Sequence, residues 1–347
     1  MLRKLTLMLA GLTLFSSGGI AQMKEISFYE VRKADPAPLI DGKLDDPAWE
    51  KAARHKTYYE YFKSNPKVSP LKTEFRMLYG EKGLYLALIN SGDSALLKKS
   101  IVADDDPELW RDDCAELYFD NEANGIGFRK FVVNPLAAKM DMRRQDASVY
   151  LEDWSGSGWI AKTSVNSDNW VVEAFFPWAD LGACASAGEI WMFCHCRFAW
   201  PNDKFAGASS AAGGNYQATH NFGYIYFSDG SDLTKDAIGR ILTGKVPPPW
   251  GLMLGNELLN SSAQGLKTEN LASKMADASG EADSLLESVA KKTAELKGFG
   301  EALNKLAKRR QALASGECGF TNYRELLEII QELKDIQTRM RLQEEFN

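Results

Sequence analysis

Hydrophobic and polar residues alternate in short runs from Ile26 to about Phe227. In Thr73–Asn90 an apolar residue occupies every second position on both sides of a turn at Gly80–Gly83. Gly158–Pro177 repeats this pattern around a polar turn. Many short strands with Gly, Asn and Asp turns are typical of antiparallel all-β folds. The pattern predicts an antiparallel β-sandwich of jelly-roll or immunoglobulin-like type, or a barrel.

One strand of this region carries an acidic residue in mid-run. The stretch ELWRDDCAELYFD (Glu108–Asp120) crowds carboxylates around Trp110 and then alternates. Because successive side chains of a strand point to opposite faces, one face would carry Ala115, Leu117 and Phe119, and the other Cys114, Glu116 and Tyr118. A plain solvated strand does not need Glu116 there, so this residue is a candidate for function.

The pattern changes near TGKVPPPWG (Thr243–Gly251), which is typical of a proline-stiffened linker. Apolar residues then recur at helical spacing, and Asn322 with Glu325 resembles a capping box for a last helix. This predicts a helical hairpin or a small three-helix unit, whose stripes form a core or a coiled-coil seam. The predicted apolar positions are Leu271, Met275, Ala278, Ala282, Leu285, Val289, Leu303, Leu306, Leu326, Ile330, Leu333, Ile336 and Met340.

The first residues have the features of a secretory signal peptide. Arg3 and Lys4 precede the apolar run Leu5–Phe15, and small residues follow, which predicts cleavage near Ala21–Gln22. The alternative is an N-terminal membrane anchor, although the run is short for a bilayer. The expected organisation is therefore a signal peptide at 1–21, a β-sandwich at 22–242, a proline-rich linker at 243–262 and a helical region at 263–347. We expect an exported protein, periplasmic or extracellular.

Charge and hydropathy narrow the range of partners. The formal net charge is −6, and it becomes −8 when the two leader cations, Arg3 and Lys4, are removed. Nucleic-acid binding needs clustered Lys and Arg, so an acidic exported protein is a poor candidate for it. No later run is apolar enough to predict a membrane span.

The chain has five cysteines, too few for a fold built on disulfides. Cys194 and Cys196 lie two apart on a predicted strand and therefore share a face, and Cys114 is a further candidate for the same face. A disulfide that involves Cys114 and a metal site are alternatives, but buried small apolar residues are the favoured interpretation.

Catalytic motifs are sparse. The three histidines, His55, His195 and His220, have no zinc-protease or zinc-finger spacing. The chain lacks a nucleophile elbow, a P-loop and a dinucleotide fingerprint in context. Carboxylates are numerous, so a glycosidase pair stays open, but no spacing selects one.

Aromatic residues are more informative than the catalytic motifs. Of the nine Trp, several lie beside predicted loops or strand ends, among them Trp110 and Trp200. A sugar ring has C–H faces that stack on aromatic rings and hydroxyls that need directed polar partners. Trp110 followed by Glu116 meets both needs. Equally, Trp110 could cover the sandwich edge while Glu116 pairs with a nearby Lys or Arg.

Seven segments, in order, resemble the family 9 carbohydrate-binding modules and their relatives across about residues 39–228. The opening segment resembles their IDG start, and the acidic strand resembles their W-x-x-D-x-x-E-x-f-x-D motif. The segments are LIDGKLDDPAWEKA (Leu39–Ala52), FRMLYGEKGLYLALI (Phe75–Ile89), LWRDDCAELYFD (Leu109–Asp120), FVVNP (Phe131–Pro135), WVVEAFFPWADLG (Trp170–Gly182), IWMFCHCR (Ile190–Arg197) and FGYIYF (Phe222–Phe227).

The resemblance implies a β-sandwich whose concave face binds sugars. Two aromatics clamp a terminal sugar in such modules, and polar side chains receive its hydroxyls. By motif position these residues match Trp110, Glu116 and Tyr216, the last of which follows the small-residue loop Ala206–Asn215.

The chain departs from the family pattern at three polar partners. The family's Arg matches Val132, its Gln matches Cys196 and its Asn matches Gly213. Loss of a charge-assisted hydrogen bond costs about 1.5–3 kcal/mol. Lys130 or Arg129 could substitute, and Lys130 is the expected ligand-binding residue.

Some relatives also bind calcium for structural purposes. Asp41 and Asp45 in the opening motif, and Asp104 and Asp106 in ADDDPE (Ala103–Glu108), offer the oxygen ligands that Ca²⁺ prefers. A structural Ca²⁺ is therefore expected there, with a solvated acidic loop as the alternative.

The expected function is that of a secreted, non-catalytic carbohydrate-binding protein, accessory to carbohydrate breakdown. A first alternative is a scaffold protein whose sugar site is degenerate and whose helical tail binds a partner or itself. A second is a glycoside hydrolase component. A third, based on related sandwiches, is a haem protein with His195 or His220 as axial ligand.

Overall fold

The computed structural model describes residues 24–63, 66–146, 149–151, 154–231, 233–293, 298–314 and 319–346. The predicted signal peptide and its cleavage site lie outside the described residues. The chain divides into two compact units. We call Ile26–Thr234 the β domain, and we call Lys235–Asn347, together with the residues up to Glu25, the C-terminal unit.

The elements are numbered along the chain. The strands are β1 (Lys24–Glu25), β2 (Phe28–Lys33), β3 (Tyr59–Glu60), β4 (Thr73–Tyr79), β5 (Gly83–Ser91), β6 (Cys114–Asp120), β7 (Phe128–Val133), β8 (Lys139–Arg144), β9 (Tyr150–Leu151), β10 (Ile160–Val165), β11 (Asn169–Pro177), β12 (Ile190–Ala199), β13 (Ala206–Ser209), β14 (Gly223–Ser228), β15 (Trp250–Leu254), β16 (Glu257–Ser262) and β17 (Gly265–Asn270). The helices are α1 (Trp178–Leu181), α2 (Lys235–Thr243), α3 (Leu271–Thr293), α4 (Gly300–Leu313) and α5 (Phe320–Phe346).

The β domain is one long hydrogen-bonded sheet folded against itself. Its strand order is β10-β11-β5-β4-β2-β14-β12-β6-β7-β8-β9, with β13 on β12 and β3 on β13. The two ends of the sheet meet in the core, where the ring of Phe176 on β11 lies 4.8 Å from Phe131 on β7 and 5.3 Å from Phe119 on β6. The predicted antiparallel β-sandwich is confirmed, although β2 pairs in parallel with both β14 and β4.

The alternation predicted for the acidic strand β6 is also confirmed. Ala115, Leu117 and Phe119 belong to the core of the sandwich. Glu116 and Tyr118 therefore point to the opposite face, because the side-chain period of a strand is two. That face is covered as well, since every residue of β6 is buried.

A buried carboxylate ties the opening segment to the sheet. Glu173 on β11 accepts hydrogen bonds from the backbone N–H of Asp41 at 3.0 Å and of Gly42 at 2.8 Å. Its other oxygen accepts one from the indole N–H of Trp49 at 2.7 Å. Gly42 has φ +92° and a Cβ there would lie 3.1 Å from the carbonyl oxygen of Thr163, so a glycine is required.

The C-terminal unit contains a second sheet that the sequence interpretation missed. Its order is β1-β15-β16-β17, so residues 243–262, predicted as a linker, instead hold the end of α2 and the hairpin β15–β16. Trp250, Leu258 and Leu259 are buried, and Gly255 turns the chain with φ +62°. The proline run obscured an ordinary hairpin signal, and the first helix of the predicted helical region, α3, begins at Leu271.

The predicted three-helix unit is present as α3, α4 and α5, and its apolar stripes form one core. The predicted capping box of Asn322 with Glu325 does not mark the start of the last helix. Helix α5 begins at Phe320, two residues before Asn322, and the Tyr323 N–H already donates to the Gly319 carbonyl at 3.0 Å. Phe320 and Tyr323 are buried, so their packing moves the helix start upstream. No helix among the described residues is long and apolar enough to cross a bilayer.

Candidate functional site

The four residues predicted to bind a ligand line one cavity of about 470 Å³ in the β domain, which we call the Trp110 pocket. This volume lies in the range of small-molecule sites, about 300–1,000 Å³. The lining residues are Tyr61, Phe62, Pro107, Leu109, Trp110, Glu116, Lys130, Val132, Met140, Met142, Tyr150, Phe198, Trp200, Phe205 and Tyr216. Eight of these fifteen residues are aromatic.

The register of three neighbouring strands builds the floor of the pocket and the wall beside it. Glu116 on β6 lies opposite Val132 on β7, and Val132 lies opposite Met140 on β8. Two residues along, Lys130 on β7 lies between Tyr118 on β6 and Met142 on β8. The lining therefore changes from a floor with Glu116 and Lys130 on β6 and β7 to an apolar wall with Met140 and Met142 on β8.

A buried ion pair forms the polar part of this floor. The Lys130 Nζ lies 2.6 Å from Glu116 Oε1, and the Tyr118 hydroxyl donates a short hydrogen bond to Glu116 Oε2. Burial raises the pKa of Tyr118 well above its ordinary value, so this hydroxyl stays a donor. A carboxylate offers about four acceptor positions, and these two partners leave capacity for further hydrogen bonds.

Trp110 stands at one side of the mouth, with 38% of its surface exposed. The Trp200 ring lies 6.1 Å from it, and the Trp200 indole N–H donates to the Trp110 carbonyl at 3.2 Å. Asp113 accepts hydrogen bonds from the backbone N–H groups of Lys98 at 2.9 Å and Trp200 at 3.3 Å. The acidic residues around Trp110 thus hold the loops that position the two tryptophans.

The neighbouring Asp112 has a similar role on the other side of the loop. Its carboxylate accepts from the backbone N–H of Ser100 and Ile101 and from the side-chain amide of Asn134, all within 3.0 Å. The carboxylates that crowd Trp110 in the sequence are therefore mainly loop anchors.

Tyr216 stands at another part of the mouth, with 37% of its surface exposed. Its ring meets Phe62 edge-on at 6.0 Å, and its carbonyl accepts a hydrogen bond from Arg144 at 3.3 Å. Trp110 and Tyr216 are thus both exposed aromatic rings of the same pocket, as the resemblance implied.

Most of the remaining lining was missed from the sequence. Tyr61 and Phe62 come from the loop after β3, Phe198 from β12, and Phe205 from the residue before β13. Their signal was present in the aromatic runs YYEYF (Tyr58–Phe62) and FAWPNDKF (Phe198–Phe205). The local sequence did not indicate that these two aromatic runs line the same pocket. Strand β3 reaches the pocket through its pairing with β13, which lies far along the chain.

Residues 40–229, more than half of the chain, match the profile of the family described as carbohydrate family 9 binding domain-like. The chain belongs to this family. Membership supports a carbohydrate-binding role for the family 9-like domain described above.

Two of the solved structures that resemble the chain are family 9 modules. One is a family 9 carbohydrate-binding module from Caldicellulosiruptor kristjanssonii in complex with glucose, with 16% identity and a TM-score of 0.45, covering 60% of this chain and 100% of that one. The other is a family 9 module from the same organism in complex with cellotriose, with 16% identity and a TM-score of 0.46, covering 60% of this chain and 98% of that one. A comparison with curated proteins gave no match.

The three departures from the family pattern have different structural settings. Val132 lies in the floor of the pocket. Cys196 is buried with its Sγ 3.8 Å from Cys194 Sγ, and Gly213 has φ +74° in the loop before Tyr216. Of the two proposed substitutes, Lys130 lines the pocket, whereas Arg129 lines a separate small cavity.

Three of the four calcium candidates in this family 9-like domain accept hydrogen bonds from backbone N–H groups, two within their own loops and one from the start of β8. Asp41 accepts from the Lys43 N–H at 2.9 Å, Asp104 from the Lys139 N–H at 3.0 Å and Asp106 from the Glu108 N–H at 2.8 Å. Asp45 is exposed. Within the described ranges, no three His, Cys, Asp or Glu side chains converge as a metal site. The structural Ca²⁺ stays a prediction.

Three of the described cysteines, and His195, are buried. Cys114, Cys194 and Cys196 are buried free thiols and Cys184 is an exposed one; Cys318 lies outside the described residues. The disulfide considered for Cys114 is therefore not formed. His195 is completely buried, with its Nδ1 2.6 Å from the Tyr58 hydroxyl, and His220 is exposed beside β14.

Proposed function

We propose that this protein binds the end of a glycan or oligosaccharide in the Trp110 pocket and does not cleave it. The observation that carries the proposal is the convergence of Trp110, Tyr216, Glu116 and Lys130 on one cavity of about 470 Å³. The family assignment supports the same class of ligand.

The two kinds of contact that a sugar needs are both available in the pocket. Trp110 and Tyr216 offer partly exposed rings on which the C–H face of a sugar packs. Glu116 accepts hydrogen bonds from hydroxyls, and Lys130 has three N–H donors, of which the ion pair with Glu116 occupies one.

A binding role without catalysis fits the acidic residues of the pocket. Glycosidases use two carboxyl groups that flank the scissile bond. Glu116 is the one acidic side chain in the described lining of the Trp110 pocket. Release of reducing sugar that disappears in a Glu116→Gln variant would instead favour the glycoside hydrolase alternative.

Export is part of the proposal. Its support is the basic, apolar and small-residue succession over residues 1–21. An exported carbohydrate-binding protein would act as an accessory to carbohydrate breakdown, with the glycan as its partner.

A screen of the full-length protein on a glycan array, with and without calcium, tests the proposal. We expect binding of at least one glycan, and a loss of at least about tenfold in Trp110→Ala and Glu116→Gln, because stacking and charge-assisted hydrogen bonds each contribute about 1–3 kcal/mol. Leu39→Ala, an exposed site outside the pocket, is the matched control. Silence across a broad array, or equal affinity in both variants, would refute the proposal.

The departures at Val132, Cys196 and Gly213 favour a second candidate. In this alternative the sugar site is degenerate and the helices α3–α5 bind a protein partner or a second copy. It predicts oligomers of the full chain that are lost when the chain ends at Thr234, measured by size-exclusion chromatography with light scattering. Monomers of both proteins would exclude self-association.

A further inference from the structure

The wall that β8 forms in the Trp110 pocket differs in polarity from the floor. Met140 and Met142 line the pocket from β8, with Val132 beside them on β7 and the exposed Tyr150 on β9. Val132, Met140 and Met142 donate no hydrogen bond, and a thioether is only a weak acceptor. A ligand edge that packs on these three side chains therefore finds no strong partner for a hydroxyl.

Apart from the exposed residues Tyr150 and Tyr216, the hydroxyl, carboxylate and ammonium groups of the lining belong to three residues. Glu116 and Lys130 are paired on β6 and β7, and Tyr61 completes the group from the loop after β3. Tyr61 is only 6% exposed, and its hydroxyl has no hydrogen-bond partner among the described residues. Burial, and next the nearby Cys196 and Glu116, raise the pKa of Tyr61, which keeps its hydroxyl protonated.

A buried hydroxyl without a partner destabilises the site unless a ligand forms a hydrogen bond with it. Tyr61 lines the pocket, so a ligand that enters can supply this partner. The polar floor thus offers acceptors from Glu116, donors from Lys130 and a hydroxyl from Tyr61, while Val132, Met140 and Met142 offer apolar contact.

We infer that the pocket takes a hexose whose hydroxyls reach the floor and whose edge facing β8 carries an apolar group in place of a hydroxyl, as in a 6-deoxyhexose. The inference rests on the proposed carbohydrate-binding function. A fully hydroxylated hexose would bury a hydroxyl against Val132, Met140 or Met142, whereas a methyl group packs there without an unmet hydrogen bond.

Calorimetric titration of the full-length protein tests the preference. The probes are three matched pairs: D-galactose with D-fucose, D-glucose with 6-deoxy-D-glucose, and L-mannose with L-rhamnose. In at least one pair the 6-deoxy member is expected to bind at least about fivefold more tightly, the ratio that corresponds to one unmet hydroxyl.

Two variants locate the preference in the pocket. Met142→Gln places an amide on the β8 wall at nearly constant volume and is expected to remove or invert the preference; Met253→Gln, in the C-terminal unit, is its control.

Tyr61→Phe is expected to weaken binding of the preferred sugar at least about fivefold while the free energy of unfolding is unchanged or higher. Tyr226→Phe, half-buried outside the pocket, is the control for Tyr61.

The outcomes separate the inference from the function on which it rests. A 6-deoxy preference that Met142→Gln abolishes supports the inference. Glycan binding on the array without a 6-deoxy preference in any pair overturns the inference and leaves the proposed function intact. Absence of binding in the array and in all titrations overturns both. Unchanged affinity in Tyr61→Phe removes Tyr61 from the polar floor.

Discussion

Two buried glutamates show how context assigns different roles to one residue type. Glu173 has both oxygens occupied by the backbone of the opening segment and by the Trp49 indole. Glu116 is held by Lys130 and Tyr118 but faces a cavity. The first carboxylate has a structural role, and the second has acceptor positions that a ligand can reach.

Replacement of Glu173 is expected to destabilise the β domain. Glu173→Ala leaves two buried donors and one partly buried donor without an acceptor and should lower the free energy of unfolding by about 3 kcal/mol. Glu173→Gln keeps an acceptor oxygen and should cost less. Urea denaturation measures both, with the exposed Glu189→Ala as control. A loss below about 1 kcal/mol in Glu173→Ala would contradict this role.

His195 is expected to make stability depend on pH. Burial, and secondarily Arg197, lower its pKa from 6.5 to about 3. The unfolded chain therefore takes up a proton below pH 6.5 that the folded chain does not, so the free energy of unfolding falls as pH drops. At pH 5 the loss is about 2 kcal/mol relative to pH 7.

The comparison with His195→Gln isolates this effect. Burial raises the pKa of Glu173, although its hydrogen bonds lower it. A raised carboxyl pKa increases the free energy of unfolding as pH drops, which opposes the effect of His195. Urea denaturation from pH 7 to pH 5 should show a flatter dependence in His195→Gln than in the wild type. Parallel curves would refute the contribution of His195.

Secondary-structure elements in the C-terminal unit are joined by charge as well as by an apolar core. Arg309 on α4 contacts three glutamates of α5: Glu325 at 2.6 Å, Glu332 at 2.5 Å and Glu328 at 3.4 Å. These glutamates are three or four residues apart on one helix face, so they repel one another without the guanidinium. The pair α3 and α5 is bridged similarly by Lys292 with Glu344 at 3.0 Å.

Loss of the Arg309 charge is expected to weaken the attachment of α4 to α5. Arg309→Met keeps the apolar stem and should lower stability by about 1–2 kcal/mol at low salt, and by less at about 1 M salt, where the carboxylates are screened. Far-UV circular dichroism during denaturation reports the helices. Lys308→Met, an exposed neighbour, is the control. An effect independent of salt would show that packing, not charge, is involved.

Each of the two compact units has an apolar core of its own, and the core of the sandwich shares no residue with the helical core. The core of the sandwich and the Trp110 pocket are formed within Ile26–Thr234, and the helical core within the C-terminal unit. A domain with its own core can fold alone. We therefore expect each unit to be stable on its own.

We expect a protein consisting of Ile26–Thr234 to unfold cooperatively and to bind the array-identified glycan with the affinity of the full chain, within about twofold. The reason is that the pocket and its supporting hydrogen bonds lie inside this range. Chemical denaturation and calorimetric titration check the two statements. A fragment without a cooperative transition would show that the C-terminal unit is needed for folding.

Local patterns were sufficient for the fold class and for part of the pocket. Alternation assigned Leu117 to the core and Glu116 to the other face, because the two-residue period of a strand is a property of the backbone. Helical spacing identified the apolar stripes of α3 and α5, because the 3.6-residue period of a helix is also a property of the backbone. Trp110 and Tyr216 were found through motif order, which preserves their places in the fold.

Contacts between segments that are far apart in the sequence could not be predicted from local patterns. The ion pair of Glu116 with Lys130 and the apolar wall of Met140 and Met142 depend on how β6, β7 and β8 are aligned. Tyr61 reaches the pocket through the pairing of β3 with β13. These alignments are set by packing of the whole sheet, because a strand of alternating residues has many possible partners until its neighbours are in place.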